Sequence, residues 1–263
     1  MAPSTNRTAG NTFTSGSVHA DGFVVRYLEA GTGDPVVRIH GAGGPLISDA
    51  LADLSSTHRV IELELPGFGS SPVNDRTTGA ASMADTVAAV IDELQIAPVP
   101  VWGTSMGGVV ATHLAVRHPD KVRSLVLEAP GLFRIDYRNP AELSGDEFVR
   151  AFNTHPERVA DRERQPLDPT RWELVVRIMG PDWDHDLETK VRSIPFPTLV
   201  LWGAQDGIFR PTGGNTFRDA IPHCALVVVD DAAHDLQGDQ PDICVNLVRR
   251  FLEEGTAFTD EHS

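Results

Sequence analysis

One short stretch of the chain has the residue types and spacing of a catalytic nucleophile. Residues 103–108 read Gly-Thr-Ser-Met-Gly-Gly and contain a Gly-x-Ser-x-Gly motif centred on Ser105. A short apolar run precedes the motif and a helical pattern follows it, which predicts a nucleophile elbow rather than an ordinary glycine-rich turn. Such a turn projects the serine hydroxyl toward a base. Glycine is needed on both sides because side chains at Gly103 and Gly107 would collide with the neighbouring strand and helix.

Two further residues complete the set that an activated serine requires. The serine needs a base to take its proton, and the base needs a carboxylate to orient it. His234 follows an apolar run at 226–229, and Asp206 follows a similar run at 199–202. Because the carboxyl ends of parallel strands meet at one edge of a sheet, we expect Ser105, Asp206 and His234 to lie together there.

The elements that must position these residues alternate along the chain. Short apolar runs of strand length recur at 35–39, 59–65, 98–102, 122–127, 198–202 and 226–229. Helical patterns lie between several of them, so the sequence predicts an α/β protein with a mostly parallel, doubly wound sheet covered on both faces. An antiparallel hairpin with Asp21-Gly22 as its turn is expected to precede this sheet.

A long insertion interrupts the alternation after the sixth predicted strand. Residues 133–194 contain no strand signal and are rich in charged, helix-like segments. Because this segment is too long for a simple loop, we expect it to form a helical cap over the carboxyl edge of the sheet. The alternative is a peripheral group of helices with no role in the site. The core domain would then comprise residues 12–132 and 195–255, between flexible termini at 1–11 and 256–263.

Six apolar side chains in the expected cap or near the cleft are candidates for substrate contact. They are Phe68, Phe133, Trp172, Met179, Trp183 and Ile208. Each of them could equally serve only in packing. The cap also contains seven arginines that could bind a substrate carboxylate: Arg134, Arg138, Arg150, Arg158, Arg162, Arg164 and Arg171. Many have an acidic residue nearby, which is typical of a solvated face.

Composition excludes several classes of function. The 263 residues include 22 Lys and Arg against 37 Asp and Glu, a formal net charge of −15. An acidic protein is repelled by phosphate backbones and anionic bilayers, so neither nucleic acid nor membrane is an expected partner. There is no apolar stretch of membrane-spanning length and no signal-peptide pattern, which favours the cytoplasm.

The same inventory speaks against bound metals and cofactors. No His, Cys or carboxylate residues have the spacing of a metal site, and the glycine-rich loops lack the patterns that bind nucleotides. We therefore expect no metal and no cofactor. Cys224 and Cys244 lie in apolar surroundings and are expected to be buried free thiols, with a disulfide between them as the open alternative.

With these residues in hand, the chain resembles the α/β-hydrolase superfamily from about residue 22 to residue 254. The resemblance depends on the elbow at Ser105, the His40-Gly41 turn, the stretch Pro66-Gly67-Phe68-Gly69-Ser70, and the pair Asp206 and His234. Within the superfamily the chain is most similar to the capped meta-cleavage-product C–C hydrolases and to small esterases.

Two departures separate the chain from the C–C hydrolases. These enzymes usually carry a tryptophan directly after the catalytic histidine, where this chain has Asp235. Their first loop typically reads His-Gly-x-Gly-Pro-Gly, whereas here Gly44 is followed by Pro45 and Leu46.

The resemblance also implies roles for residues near the elbow. Two backbone N–H groups, from Met106 and from Ala42 or Gly43, would form the oxyanion hole. Glu128, at the end of the run 122–127, is the alternative acid because some relatives carry the acid at that position. For His40, a hydrogen-bonding role in the loop is expected rather than proton transfer.

These expectations converge on a serine hydrolase that cleaves a small or medium carboxylic ester or lactone through an acyl-enzyme. One alternative is hydrolysis of a C–C bond in a vinylogous 1,5-diketone. The other is a ligand-binding module of hydrolase fold with little catalysis. A small molecule is the expected partner, and the sequence leaves monomer and homodimer open.

Overall fold

An eight-stranded sheet forms the centre of the molecule. The structure is a computed structural model that describes residues 12–159 and 169–262. The strands are β1 (Thr14–Ala20), β2 (Phe23–Ala30), β3 (Pro35–Ile39), β4 (Arg59–Glu64), β5 (Val99–Thr104), β6 (Val122–Glu128), β7 (Thr198–Gly203) and β8 (Cys224–Val229). Each predicted apolar run corresponds to one of these strands.

The strands are ordered β1-β2-β4-β3-β5-β6-β7-β8 across the sheet. The six strands β3 to β8 are parallel to one another. At one end of the sheet, β2 pairs antiparallel with both β1 and β4. Asp21 and Gly22 form the hairpin turn, both with positive φ, 50° and 81°. The predicted fold class, a mostly parallel doubly wound sheet, is confirmed.

Helices cover both faces of the sheet. They are α1 (Asp49–Leu54), α2 (Ala80–Glu93), α3 (Met106–Arg117), α4 (Gly145–Phe152), α5 (Pro169–Met179), α6 (His185–Lys190), α7 (Gly214–Ala220), α8 (Leu236–Asp239), α9 (Pro241–Glu254) and α10 (Thr256–Glu261). Buried side chains of α2, α3 and α7 form a core on one face, and those of α1, α9 and α10 form a core on the other. This two-sided covering explains why the central strands are apolar throughout rather than alternating.

The described residues of the insertion between β6 and β7 form helices joined by loops and contain no strand. It contains α4, α5 and α6, and Leu174, Val175 and Ile178 of α5 are buried in the core that α2 and α3 share. An insertion that buries apolar side chains against the sheet's own helices is held by the hydrophobic effect and not only by its two chain connections. Residues 160–168 of this insertion and residues 1–11 lie outside the described residues.

The C-terminal residues differ from expectation. Residues 256–263 were predicted to be flexible, but Thr256–Glu261 form α10, and the Phe258 side chain is fully buried. Its ring lies 5.7 Å from that of Phe251 in an edge-on arrangement. Burying a phenylalanine contributes about 1.5–3 kcal/mol, enough to hold a single short helix against the domain. The prediction was wrong because only the tertiary structure shows that Phe258 meets Phe251.

No helix among the described residues is long and apolar enough to cross a bilayer.

A buried carboxylate in the sheet should make the stability of the protein depend on pH. Glu62 on β4 is fully buried beside its cross-strand neighbour Arg38, and burial raises its pKa to about 7. The folded state therefore retains this proton over a range where the unfolded chain has lost it. The stabilisation is present at low pH and is lost as the pH rises through about 7.

We expect Glu62→Gln to be more stable than the wild type at pH 8, by about 1–3 kcal/mol, and to lose this advantage below pH 5. Thermal unfolding of both proteins at several pH values would measure this. Parallel curves for the two proteins across pH 5–8 would show that Glu62 does not carry the titration.

Candidate active site

The predicted elbow has a strained nucleophile at its apex. Ser105 separates β5 from α3 and has φ 53° and ψ −113°, a conformation that costs a non-glycine residue about 1–3 kcal/mol. A Cβ on Gly103 would lie 2.4 Å from the carbonyl oxygen of Gly107, and one on Gly107 would lie 2.1 Å from that of Ile39. Only glycine fits at either position, as the motif predicted. The surrounding strand and helix therefore hold Ser105 in a conformation that the chain would not adopt alone.

The structure brings Ser105, His234 and Asp206 into one hydrogen-bonded chain. Ser105 Oγ lies 3.0 Å from Nε2 of His234, and Nδ1 of His234 lies 2.8 Å from Oδ2 of Asp206. Asp206 and His234 are buried. With Nδ1 donating to the carboxylate, Nε2 is left as the acceptor that faces the serine hydroxyl. This is the arrangement in which an imidazole can take a proton from a serine.

The turn after β7 orients Asp206. Its Oδ1 accepts hydrogen bonds from the backbone N–H groups of Ile208 at 2.8 Å and Phe209 at 2.9 Å. Its Oδ2 accepts a third, from Nε1 of Trp202 at 3.0 Å. The two backbone donors hold Oδ1 in the turn, and Oδ2, which Trp202 also binds, is directed at His234. The isoleucine that was a candidate for substrate contact thus supports the acid through its backbone, and its side chain is buried.

Charge around His234 favours its protonated form. Burial by itself lowers the pKa of the imidazole and is the largest single influence, but the carboxylate of Asp206 opposes it through its charge and its hydrogen bond. Glu128 and Asp235 add negative charge in the same direction, and the pKa is raised above its usual value. A base that is stabilised when protonated suits a reaction in which it takes and later returns a proton.

Two phenylalanine rings that sequence reasoning missed enclose His234. Phe152, the last residue of α4, and Phe209 each lie edge-on to the imidazole at a centroid distance of 5.1 Å. Apolar walls of this kind fix the ring and exclude water from it. Phe209 follows Asp206 by three residues, which is a weak signal. Nothing in the sequence singles out Phe152, which comes from the insertion.

The insertion is also bonded directly to the loop that carries His234. The buried carboxylate of Asp239 accepts backbone hydrogen bonds from Ala233 at 2.8 Å, Thr154 at 2.9 Å and His155 at 2.8 Å. In addition, the Asp235 N–H donates to the Phe152 carbonyl at 2.9 Å. The position of the base is therefore set partly by a segment outside the sheet.

His40 occupies the structural position that the sequence suggested. Its Nε2 accepts a hydrogen bond from the Leu65 N–H at 3.2 Å, so Nδ1 carries the hydrogen and donates to the Gly41 carbonyl at 2.7 Å. Burial lowers the pKa of His40 to about 3, and the ring is neutral at physiological pH. A neutral, doubly bonded imidazole fixes the loop and has no free nitrogen for proton transfer.

This loop passes close to the nucleophile. A Cβ on Gly41 would lie 3.5 Å from the Cβ of Ser105, and the Gly44 N–H closes a turn onto the Gly41 carbonyl at 3.1 Å. Ala42 and Gly43 form the middle of that turn. Met106 is the first residue of α3, where backbone N–H groups have no partner within the helix. The loop after β3 and the first turn of α3 thus both lie next to Ser105.

Glu128, the alternative acid, makes different contacts. Its carboxylate is fully buried and binds Trp102, Thr104 and Gln237. The hydrogen bond from His234 Nδ1 goes instead to Asp206. The geometry therefore favours Asp206 as the orienting acid.

The remaining candidates for substrate contact fall into two groups. Phe133 is fully buried and packs on Phe217 at 5.0 Å and on Trp183 at 5.3 Å, while Trp183 Nε1 donates to Glu188 at 2.7 Å. These contacts lie within the insertion and between it and α7. Phe68 is also buried, with its ring 4.9 Å from that of His40.

Trp172 and Met179 are half-buried on α5. Met179 borders a cavity of about 250 Å³ between α2, α3 and α5, which Val109, Leu132 and Ile178 also line. Ser105, Asp206 and His234 do not line this cavity. A Cβ on Gly131 would come within 2.4 Å of the Met179 methyl group, and the Gly131 N–H donates to the Ser105 carbonyl at 3.0 Å. The Met179 side chain therefore lies between the cavity and the loop beside the nucleophile.

Within residues 12–159 and 169–262, no three His, Cys, Asp or Glu side chains are grouped so that they could hold a metal ion. Cys224 and Cys244 are both buried free thiols.

Comparison with known proteins gives a consistent result. Residues 34–172 match the family described as alpha/beta hydrolase fold. A pimeloyl-[acyl-carrier protein] methyl ester esterase of Neisseria meningitidis serogroup B is 30% identical, covering 84% of this chain and 93% of the relative. A 2-hydroxymuconate semialdehyde hydrolase of Pseudomonas putida is 28% identical, covering 90% and 94%.

Solved structures show the same fold at lower sequence identity. The meta-cleavage product hydrolase CumD of Pseudomonas fluorescens IP01 superposes with a TM-score of 0.73 at 23% identity, covering 91% of this chain and 97% of that one. The naproxen esterase of Bacillus subtilis superposes with a TM-score of 0.74 at 21% identity, covering 92% of each chain.

Proposed function

This chain belongs to the family of the alpha/beta hydrolase fold, and from that membership we propose that it is a serine hydrolase acting on a small or medium carboxylic ester or lactone. The observation that carries the proposal is the continuous hydrogen-bonded chain from Ser105 Oγ through His234 to Asp206. A relative 30% identical over most of its length is a methyl ester esterase, which supports ester cleavage.

The proposed reaction proceeds through an acyl-enzyme. Ser105 Oγ attacks the substrate carbonyl while His234 Nε2 takes the hydroxyl proton, and Asp206 stabilises the resulting imidazolium. His234 returns the proton to the departing alkoxide as the C–O bond breaks. Water, deprotonated by the same Nε2, then attacks the acyl-enzyme, and the proton returns to Ser105 as the carboxylic acid leaves.

The developing oxyanion would be bound by backbone N–H groups of Met106 and of Ala42 or Gly43. Two observations support this assignment. The loop that begins at His40 lies close to Ser105, and Met106 is the first residue of α3. Such a donor is worth roughly 10²–10³ in rate because it is preorganised for charge that appears only in the transition state.

A second candidate function is C–C bond hydrolysis of a vinylogous 1,5-diketone. The observation in its favour is Arg171 of α5, whose guanidinium lies 6.0 Å above the ring of Phe68, next to His40. A cation there could hold a substrate carboxylate near the oxyanion loop. The relative named 2-hydroxymuconate semialdehyde hydrolase points the same way, whereas Asp235 after His234 departs from that group.

One set of assays distinguishes these functions. We expect turnover of p-nitrophenyl esters of graded acyl length, stoichiometric labelling of Ser105 by a fluorophosphonate, and weak cleavage of a dienoate diketone. The opposite ratio of activities would favour the C–C reaction, with Arg171→Gln raising KM for the carboxylate-bearing substrate alone. Absence of both turnover and labelling would leave a ligand-binding module.

The remaining proposals concern the surroundings of the reaction. Phe68, Trp172 and Met179 are the candidates for contact with the acyl or alcohol group, because they lie in or next to α5 and the oxyanion loop. The proposed partner is a small-molecule substrate. Two buried free thiols suit the reducing cytoplasm as the place of action.

A further inference from the structure

A fully buried carboxylate lies behind the nucleophile and takes no part in the proposed proton transfers. Oε2 of Glu128, the last residue of β6, accepts hydrogen bonds from Trp102 Nε1 at 3.0 Å, Thr104 Oγ1 at 2.6 Å and Gln237 Nε2 at 2.6 Å. Burying a carboxylate costs several kcal/mol unless hydrogen-bond donors compensate it. A buried carboxylate that recruits three donors is therefore a costly choice for a residue that only fills space.

These donors come from two of the segments that carry the reaction. Thr104 directly precedes Ser105, and Gln237 follows His234 by three residues. The main chain of Glu128 adds a further link, since its carbonyl accepts the Ser105 N–H at 2.9 Å. One residue thus contacts both the strand that presents the nucleophile and the short helix after the base.

A third segment joins through Gln237. Its Oε1 accepts a hydrogen bond from Ser48 Oγ at 2.6 Å, and the same Ser48 oxygen caps α1 by accepting the Leu51 N–H at 3.2 Å. Ser48 ends the loop that begins at His40 and contains the proposed oxyanion donors. The hydrogen bonds run from Ser48 through Gln237 to Glu128, which are all buried, and end at Thr104, which is half-buried.

We propose that Glu128 is a positioning residue that, through Gln237 and Ser48, holds the nucleophile, the base and the oxyanion loop in register. This inference rests on the proposed function. A shift of about 1 Å in any one of these parts can cost roughly a hundredfold in rate, so a buried link among all three would act on turnover rather than on substrate binding.

The charge of Glu128 adds a second, separable effect. It is one of the groups that raise the pKa of His234. The charged and titratable groups that face this region are Asp206, His234 and Asp235 at the catalytic edge, Arg38 on β3, Glu62 on β4, and Cys244 on α9. Removing only the charge of Glu128 should therefore lower the pKa of His234. The pKa should fall only in part, because the other negative groups remain.

Two variants separate position from charge. Glu128→Gln retains an oxygen acceptor for the three donors and loses the charge. We expect its kcat to fall less than about tenfold. The acid limb of its kcat/KM profile should move to lower pH, because one of the charges that raise the pKa of His234 is gone. Gln237→Leu retains the charge and breaks the links to the base and to Ser48. We expect its kcat to fall roughly 10- to 100-fold, with KM and the acid limb nearly unchanged.

The matched control is Thr259→Val, which removes a hydrogen-bonding group from another buried polar residue, on α10 and away from the three segments. It should lower Tm without changing kcat. Variants at Glu128 and Gln237 that lower Tm as this control does, yet retain wild-type kcat and acid limb, would overturn the positioning role.

The rate of fluorophosphonate labelling at Ser105 provides a readout that does not require the right ester. If the wild type is labelled but does not hydrolyse the esters, the proposed substrate class is wrong. The positioning role is then tested by whether the variants at Glu128 and Gln237 are labelled more slowly than the wild type. A wild type that is neither active nor labelled overturns the proposed function and this inference together.

Discussion

Replacing Ser105 with alanine should lower kcat on p-nitrophenyl esters by on the order of 10⁴–10⁶ while the protein folds as before. The change removes one oxygen atom, the atom that His234 faces at 3.0 Å. Without it no acyl-enzyme can form, and only the weaker stabilisation by the oxyanion donors remains. Steady-state turnover, circular dichroism and fluorophosphonate labelling would measure the activity, the fold and the loss of the reactive hydroxyl.

Ser70→Ala is the suitable control for this experiment. Ser70 is exposed and follows the turn at Gly69, so it is another serine in a glycine-rich loop but without a histidine partner among its described contacts. It should retain full activity and labelling. If Ser105→Ala kept its activity in a preparation free of contaminating esterase, the proposed mechanism would be wrong.

The second large effect is expected at the acid. Asp206→Asn should reduce kcat by up to ~10⁴, because an amide can present an N–H to Nδ1 of His234 and favour the wrong tautomer, and because it no longer stabilises the imidazolium. Glu128→Gln, a change of the same kind at the alternative acid, should cost less than about tenfold, because the Nδ1 hydrogen bond goes to Asp206 at 2.8 Å.

Loss of the negative charge at Asp206 should also lower the pKa of His234, since that charge is the largest of the influences that raise it against burial. The residual activity of Asp206→Asn should therefore have its acid limb at lower pH than the wild type. Parallel kcat/KM profiles from pH 5 to 9 for the two variants would test both statements. If Glu128→Gln were inactive and Asp206→Asn nearly as active as the wild type, the orienting acid would be Glu128, at the end of β6.

Much of the site was predictable because its residues stand next to strong local signals. The apolar runs that became β5, β7 and β8 are continuous and short, and parallel strands bring their carboxyl ends to one edge whatever the details of packing. Ser105, Asp206 and His234 each follow such a run. The glycines of the elbow were likewise readable, since steric exclusion at Gly103 and Gly107 is a local property of the turn.

The surroundings of the base were not predictable in this way. Phe152 and Phe209 reach His234 from two different segments, and Asp239 joins the insertion to the loop of the base through backbone N–H groups. Neither kind of contact has a periodicity or a motif in the sequence. The same holds for Phe258, whose burial against Phe251 turned an expected flexible end into α10.

The sequence by itself determined the order of strands and helices along the chain and the candidates for nucleophile and base, since these depend on local pattern and on the steric needs of one turn. It favoured Asp206 as the orienting acid but left Glu128, at the end of the adjacent strand, as an alternative. Only the tertiary structure chose between them. The turn after β7 holds one oxygen of Asp206 with two backbone donors and directs the other at His234, whereas Glu128 is held inward by Trp102, Thr104 and Gln237. The direction of a short carboxylate is set by the donors that surround it, and those donors come from parts of the chain that meet only on folding.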